Sequence, residues 1–195
     1  MNHVFAIIGA PGSGKSTLMQ EFMSRWQWDY DRVGLIDHYK SGDLIVLGKY
    51  EDGEVFGGTD KLSMSCQKEA LEFVKSQQDK IILYEGDRLT SRSFFTDIQG
   101  ADIGLTIVAL DVDQETRQER YEQRGSNQNA TWLAGRIKKV ENIVQEFGES
   151  QTLYGTDAGC VVGFLHRNPQ ETMIVSDWIQ HEIDEIILDS TIADL

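Results

Sequence analysis

A segment near the start of the chain has the residue types and spacing of a phosphate-binding loop. Residues 9–16 read GAPGSGKS, which fits the pattern G-x-x-x-x-G-K-[ST]. Glycines let backbone N–H groups converge on phosphate oxygens, Lys15 adds a mobile positive charge, and Ser16 offers a hydroxyl to Mg²⁺. The alternative is a plain strand-to-helix turn. We expect the phosphates of a nucleotide to bind at Gly9, Pro11, Gly12, Ser13, Gly14, Lys15, Ser16 and Thr17.

The sequence on either side of this loop favours the phosphate-binding interpretation. An apolar run at residues 4–8 predicts a buried strand, and apolar residues from Leu18 to Trp26 have helical spacing. A strand, a glycine-rich turn and a helix form the setting in which such a loop works, because the positive end of the helix dipole points at the same oxygens. We therefore expect the loop to hold the phosphates of ATP or GTP.

Two acids and an arginine follow a second apolar run, at the point where that strand is expected to end. Residues 80–85 predict a buried strand that ends at Glu85, and Gly86, Asp87 and Arg88 follow it. A carboxylate at this position can hold Mg²⁺ directly or through water, and a guanidinium suits bidentate capture of a phosphate. We predict Glu85 as a metal ligand and both Asp87 and Arg88 as catalytic residues, with Asp87 as a candidate group to position the acceptor hydroxyl. Helix capping and an ordinary surface ion pair are the competing roles.

A third candidate segment contains two adjacent glycines before an aspartate. In Gly57-Gly58-Thr59-Asp60, the glycines allow a substrate to approach the backbone, and Asp60 can accept a proton from an attacking hydroxyl. A tight turn with a helix-capping aspartate explains the same residues. Asp37 and His38 are weaker candidates for the proton acceptor.

Basic residues cluster around a polar break in the second half of the chain. Arg117, Arg120 and Arg124 lie three and four residues apart and so share one helical face, and Arg136 follows the break at residues 125–129. We predict a helical lid at about 117–140, in which Arg117 and Arg124 act in catalysis by closing over transferring phosphates. A solvated helix face is the alternative. Trp26, Trp28 and Trp132 can each stack on a base, although packing is their expected role.

Apolar runs alternate with segments of helical spacing along the rest of the chain. This alternation predicts a mostly parallel sheet with helices on both faces, a three-layer α/β sandwich in which ligands bind beyond the carboxyl ends of the strands. Gly9 and residues 85–88 should then share one cleft. Strands are predicted at 32–39, 44–50, 80–85, 103–110 and 161–165, and helices at 15–26, 67–78, 91–99, 113–123, 131–147 and 171–188.

Composition limits the functional classes. The 195 residues are 40% hydrophobic and 26% charged, which suits a single domain spanning residues 1–195. The net charge of −14 argues against bulk attraction to nucleic acid. The chain has two cysteines without metal-site spacing, and no apolar run of membrane-spanning length. We expect a cytoplasmic protein that does not act at a membrane; the oligomeric state is left open.

With these residues in place, the chain resembles small P-loop kinases of the nucleoside monophosphate kinase-like group. The resemblance covers most of the chain and consists of residues 9–16, the strand end at 85–88 and the arginine-bearing lid. Asp87 and Arg88 are similar to the aspartate and arginine that follow the third strand in such kinases. The resemblance implies the P-loop NTPase fold with a helical lid, and ATP- and Mg²⁺-dependent phosphorylation of a hydroxyl or a phosphate.

A narrower resemblance concerns the acceptor. The segments at 47–50, 56–63 and 85–89 are similar to small phage-encoded P-loop kinases, some of which phosphorylate hydroxymethyluracil in DNA. This implies that Lys15 and Ser16 carry ATP and Mg²⁺, and that Asp60 and Arg88 serve the acceptor. A flipped base in a narrow cleft reconciles DNA with the acidic chain. The rival acceptors are a free nucleotide, a nucleoside or another small metabolite, and a P-loop ATPase or switch is a further alternative.

Overall fold

The computed structural model describes residues 1–51, 57–123, 125, 129–148, 160–165 and 168–193. These residues contain one sheet with the strand order β2-β3-β4-β5-β1-β6-β7. The strands from β4 to β7 along that order are parallel, and β2 and β3 extend the sheet in antiparallel fashion. The predicted mostly parallel sheet is therefore confirmed. The strands are β1 (His3–Gly9), β2 (Asp29–Val33), β3 (Ile36–Ser41), β4 (Leu44–Leu47), β5 (Ile81–Glu85), β6 (Gly104–Asp111) and β7 (Cys160–Leu165).

Helices cover both faces of this sheet, as predicted. One buried cluster joins β1 to the helices α2, α3 and α5, and the other joins β1 to α1 and α6. Among the described residues, no helix is long and apolar enough to cross a membrane. The helices are α1 (Lys15–Met23), α2 (Gln67–Ser76), α3 (Arg92–Gln99), α4 (Gln114–Gln123), α5 (Ala130–Gly148) and α6 (Pro169–Ala193), and a 3₁₀ turn spans Thr59–Lys61.

The alternating side chains of β1 explain the two layers of core. Val4, Ala6 and Ile8 belong to one cluster, whereas Phe5 and Ile7 belong to the other. A strand with both faces covered must be apolar throughout, and this explains the continuous hydrophobic run before the phosphate-binding loop. The strand is thereby held inside the sheet, between β5 and β6, and the loop at its end is anchored.

The segment predicted as one strand at 32–39 is instead a hairpin. The chain reverses at Gly34, whose φ is +57°, so that β2 pairs with β3. All five residues of β2 are exposed, and for that reason no apolar alternation marks the strand in the sequence. The second turn, at residues 41–44, joins β3 to β4 as the sequence predicts.

The first helix is shorter than predicted. It ends at Met23 rather than at Trp26, and Trp26 is 38% exposed instead of facing the core. The indole N–H of Trp28 donates to the carbonyl of Met23 at 2.8 Å. The same carbonyl accepts the backbone N–H of Trp26 at 3.1 Å, so the last carbonyl of the helix is bonded by the turn that follows it.

Strand register brings the predicted site together. In the parallel pairing of β1 with β5, Ile7 lies beside Glu85, and in the pairing of β1 with β6, Gly9 lies beside Leu110. The carboxyl ends of these strands therefore meet at one edge of the sheet, with the start of α1 immediately above them. The predicted common cleft for Gly9 and residues 85–88 is confirmed.

Candidate active site

The phosphate loop, residues 9–16, has the backbone conformation that its glycines make possible. Gly12 and Gly14 have φ values of +80° and +90°, and Gly14 caps the start of α1. A Cβ on Gly12 would lie 2.9 Å from the ring of Tyr121. The N–H of Ser13 donates to the carbonyl of Ala10 at 3.0 Å, which closes the turn. The loop therefore holds its N–H groups at a helix N-terminus, where anions bind.

Lys15 lies at the mouth of this loop. Its ammonium group donates to the carbonyl oxygens of Gly9 and Ala10, at 3.0 and 3.2 Å. Burial raises the pKa of Glu85, and the Lys15 ammonium charge opposes this rise. Lys15 therefore lies beside both the phosphate loop and the buried carboxyl of Glu85.

Glu85 is a buried carboxyl group at the end of β5. It is 1% exposed, and the hydroxyl of Ser16 donates to its Oε1 at 2.9 Å. Burial raises the pKa of Glu85 to about 7, Lys15 and the Ser16 hydrogen bond oppose that rise, and Asp60 adds to it. A buried carboxylate whose pKa is raised in this way gains most from a cation.

The oxygens of Ser16 and Glu85 suit Mg²⁺. This ion prefers hard oxygen ligands, keeps several waters, and in kinases is held by one or two protein groups together with substrate phosphates. Among the described residues, no group of three or more His, Cys, Asp and Glu side chains is arranged to hold a metal. The site is therefore compatible with Mg²⁺ held mainly by a nucleotide and less so with an all-protein metal cage.

The glycines before Asp60 allow the chain to pack against Glu85. Gly58 has a φ of +79°, and a Cβ there would lie 2.5 Å from Glu85 Oε1. The Thr59 hydroxyl donates to the backbone carbonyl of Glu85 at 2.8 Å. Asp60 itself is exposed, and its Oδ1 accepts the N–H of Asp87 at 2.7 Å. One connected wall around the end of β5 is therefore formed by the three predicted segments: the phosphate loop, residues 57–60 and residues 85–88.

Asp87 joins this wall to α5, a helix of the predicted lid. Its carboxylate forms ion pairs with Arg136 and, at 2.7 Å, with Lys139, both on α5. Arg88 lines the same cleft and donates through Nε to the carbonyl of Leu62 at 3.3 Å. Asp87 thus forms ion pairs with two cations, whereas the Asp60 carboxylate accepts a single hydrogen bond from the part of the chain that the structure describes, the one from the Asp87 N–H.

Helix α4 packs on the outer side of the phosphate loop. None of its residues, all of which are described, is buried. Arg120 donates to the carbonyl of Gly12 at 2.8 Å, and the hydroxyl of Tyr121 donates to the carbonyl of Pro11. Arg117 is half-buried but does not line the cleft. Arg124 lies outside the described residues, as do residues 126–128 of the polar break and Phe56 of the narrower motif.

These elements enclose a cavity of about 310 Å³, within the range of small-molecule sites. Its lining combines the phosphate loop, the end of β5, Asp60 and both helices of the predicted lid. Asp37 does not line it; this residue is buried elsewhere, where it accepts a hydrogen bond from the Tyr30 hydroxyl. The principal side chains in the cavity wall are Lys15, Ser16, Asp60, Glu85, Asp87, Arg88, Tyr121, Trp132 and Arg136.

A family model described as P-loop Nucleotide Kinase3 matches residues 1–174, most of the chain. The chain belongs to this P-loop nucleotide kinase family. The predicted fold class and the prediction of a kinase are thereby confirmed. No curated protein sequence matches the kinase.

Three solved structures are similar to this kinase at low sequence identity. The first is a gluconokinase from Sinorhizobium meliloti 1021, at 12% identity and a TM-score of 0.49, covering 93% of this chain and 95% of that chain. The second is a sugar kinase from Janibacter sp. HTCC2649, at 13% identity and a TM-score of 0.48, covering 92% of this chain and 95% of that chain. The third is a deoxyadenosine kinase from M. mycoides, solved with dCMP and dCDP. It has 12% identity and a TM-score of 0.47, covering 93% of this chain and 99% of that chain. At these values the likenesses carry no argument about the substrate.

Two residues at the site have no predicted role in the sequence patterns, Tyr121 in the cavity wall and Lys139 beside Asp87. Trp132 is predicted either to stack on a base or, preferentially, to pack; it lines the cavity with 42% of its surface exposed. The sequence spacing indicates one part of this arrangement. Trp132, Arg136 and Lys139 lie at i, i+4 and i+7 and so share one face of α5. The sequence alone does not show that this face turns towards β5.

Proposed function

We propose that this kinase transfers the γ-phosphoryl group of ATP to an acceptor hydroxyl in a reaction that depends on Mg²⁺. The single observation that carries the proposal is the hydrogen bond from Ser16 to the buried carboxyl of Glu85, beside Lys15 and within the same cavity as Asp60. These are the parts that phosphoryl transfer needs, since its catalysis consists of positioning and charge stabilisation.

In the proposed reaction, the acceptor oxygen attacks the γ-phosphorus and the bond from that phosphorus to the β,γ-bridging oxygen breaks. ADP leaves with the electron pair, and the acceptor proton passes to Asp60. The loop N–H groups and Lys15 hold the phosphates. Ser16 and Glu85 would hold Mg²⁺, which would supply positive charge to the phosphate oxygens. Arg88, and Arg117 and Arg124 of the lid, are proposed to stabilise the transferring group.

Asp60 is the better candidate for the proton acceptor. Its side chain is exposed in the cavity, whereas the Asp87 carboxylate lies between Arg136 and Lys139. A carboxylate that forms ion pairs with two cations of α5 is suited to holding this helix of the lid against the end of β5. We assign Asp87 a positioning role and Asp60 the proton transfer.

For the acceptor, we propose the hydroxymethyl group of hydroxymethyluracil in DNA. Support comes from the resemblance of residues 56–63 and 85–89 to phage kinases that use this acceptor, and from the way residues 57–60 and 85–88 meet in one cavity. A free nucleotide or nucleoside is the second candidate. The observation that favours it is the net charge of −14, which repels a DNA backbone.

A panel of acceptors tests the proposal. ATP labelled at the γ-phosphate is incubated with the kinase, Mg²⁺ and, separately, hydroxymethyluracil DNA, the same DNA with thymine, hydroxymethyl-deoxyuridine and its monophosphate. Label on the hydroxymethylated DNA supports the proposed acceptor. Label only on the free nucleoside or nucleotide supports the second candidate.

The panel includes a matched pair of lysine variants. Lys15→Ala is expected to lower turnover by at least ~100-fold, the scale of losing one electrostatic stabiliser. Lys138→Ala is the control, because this lysine lies on α5 with a side chain that is 70% exposed and paired only with Glu141 among the ion pairs of the described residues. Near-normal turnover in Lys15→Ala would overturn the assignment of the phosphate loop.

A further inference from the structure

One aromatic side chain has no part in the transfer chemistry and yet faces the transfer cavity. Trp132 lines the cavity near the start of α5 and remains 42% exposed. A large indole is normally buried or packed on its neighbours, whereas this one is exposed to a cavity that Asp87 and Arg136 also line. An indole that is exposed in a cavity can bind a planar, apolar group of a ligand against its face.

The neighbours of Trp132 hold its ring on the acceptor side. The guanidinium carbon of Arg136 lies 5.2 Å from the centroid of the indole, in cation–π contact. Arg136 is in turn ion-paired with Asp87, whose N–H bonds to Asp60. One continuous chain of contacts therefore runs from the indole to the proposed proton acceptor.

The phosphate loop is contacted by a different helix. Arg120 and Tyr121, which bond to the carbonyls of Gly12 and Pro11, belong to α4, whereas Trp132 belongs to α5. The two lid helices thus approach the two halves of the cavity, α4 over the phosphate loop and α5 over the end of β5. The indole is placed with the acceptor half.

We propose that Trp132, braced by Arg136, is a stacking platform for the nucleobase of the acceptor. This inference rests on the proposed function and narrows it to acceptors that carry a base. Nucleobases stack on aromatic side chains whatever their sequence context. In a chain of net charge −14, a negatively charged acceptor gains little from long-range attraction, and stacking supplies recognition that does not depend on charge.

The platform predicts a selective loss of acceptor affinity. Trp132→Ala should raise the KM for a base-bearing acceptor by about 5- to 150-fold, the range for losing one base–aromatic stack, and should raise it more than it lowers kcat. The KM for ATP should not change. Trp132→Phe should recover most of the affinity, because a phenyl ring still stacks. Trp26→Ala is the matched control, since Trp26 is 38% exposed and does not line the cavity.

A binding measurement separates this inference from the proposed function. Tryptophan fluorescence is titrated with hydroxymethyl-deoxyuridine monophosphate and with ribose 5-phosphate, which has no base, in wild type, Trp132→Phe and Trp26→Ala. We expect quenching by the nucleotide only, in wild type and Trp26→Ala but not in Trp132→Phe. Thermal unfolding of each variant shows whether it is folded.

The outcomes are distinct. Quenching at Trp132 with no phosphoryl transfer to any acceptor would overturn the proposed function and support the platform. Transfer to a base-bearing acceptor with an unchanged KM in Trp132→Ala would overturn the platform and leave the proposed function standing. A Trp132→Ala variant in which only the KM for ATP rises would also overturn the platform, because the indole would then stack on adenine.

Discussion

Replacing Glu85 by glutamine should make the kinase more stable at neutral and alkaline pH. The carboxyl is 1% exposed, and burial raises its pKa from 4.5 to about 7. A group whose folded pKa is raised contributes stability that is fully present below its unfolded pKa and is lost as pH rises through its folded pKa. Wild type should therefore lose stability between about pH 4.5 and pH 7 for this reason.

The size of this loss follows from the pKa displacement. A tenfold change in proton affinity corresponds to about 1.4 kcal/mol, so a rise from 4.5 to about 7 corresponds to ~3 kcal/mol. Glutamine has no such titration, and its amide oxygen can still accept the Ser16 hydroxyl. The free energy of unfolding of Glu85→Gln minus that of wild type should thus grow by ~2–3 kcal/mol from pH 5 to pH 8, because a smaller part of the loss occurs below pH 5.

Urea unfolding followed by circular dichroism measures this difference, at several pH values and with EDTA present. Burial lowers the pKa of His3 to about 4, but His3 occurs in both proteins. Its contribution to the pH dependence therefore cancels when the two free energies of unfolding are subtracted. Glu72→Gln is the control, because the Glu72 side chain is 65% exposed. A difference between Glu85→Gln and wild type that stays constant from pH 5 to pH 8 would show that burial does not raise the pKa of Glu85. Adding Mg²⁺ and a non-hydrolysable ATP analogue should then stabilise wild type more than the variant.

Two further predictions concern the wall around this carboxyl. Gly58→Ala should cost ~1–3 kcal/mol more stability in urea unfolding than Gly42→Ala, because both glycines have positive φ but only at Gly58 would the new methyl group collide with Glu85. Equal costs would show that the collision is relieved. Asp60→Asn should lower kcat by ~100-fold or more while the KM for ATP is kept, the scale of losing a general base. Asp87→Asn should cost less turnover, and the reverse order in steady-state assays would exchange the two roles.

Much of the phosphate site could be predicted from the sequence because its determinants are local. The eight residues of the loop, a buried strand before them and a helix after them specify the turn without distant contacts. The position of Glu85 beside this loop needs one further rule, that the carboxyl ends of parallel strands meet at one edge. The Ser16–Glu85 hydrogen bond is the direct consequence.

Other features of the fold could not be predicted because they have no periodic signal. The strand β2 has five exposed residues, so only its pairing with β3 identifies it. At the end of α1, the Met23 carbonyl accepts the Trp26 N–H and the Trp28 indole, two bonds that leave no periodic pattern in the sequence. An apolar residue beyond such a stop, here Trp26, continues the helical spacing without continuing the helix.

The acceptor half of the site was the hardest to predict. Its contacts join residues about fifty positions apart, as in the pairs that Asp87 forms with Arg136 and Lys139. An arginine-bearing lid was predicted, but its spacing does not show which arginine turns inward. Arg120 and Arg136 line or contact the site, whereas Arg117 does not line the cavity. The contribution of Arg117 to catalysis stays a prediction.

The most direct test of the account is the fate of the γ-phosphate. Wild-type kinase, Mg²⁺ and ATP labelled at that phosphate are incubated with hydroxymethyluracil DNA, and the label is followed in DNA and in inorganic phosphate. We predict that the label passes to the hydroxymethylated DNA and that Lys15→Ala abolishes most of this transfer. Label that passes to inorganic phosphate alone, with this acceptor and with every free nucleotide or nucleoside of the panel, would contradict the proposed transfer cleft.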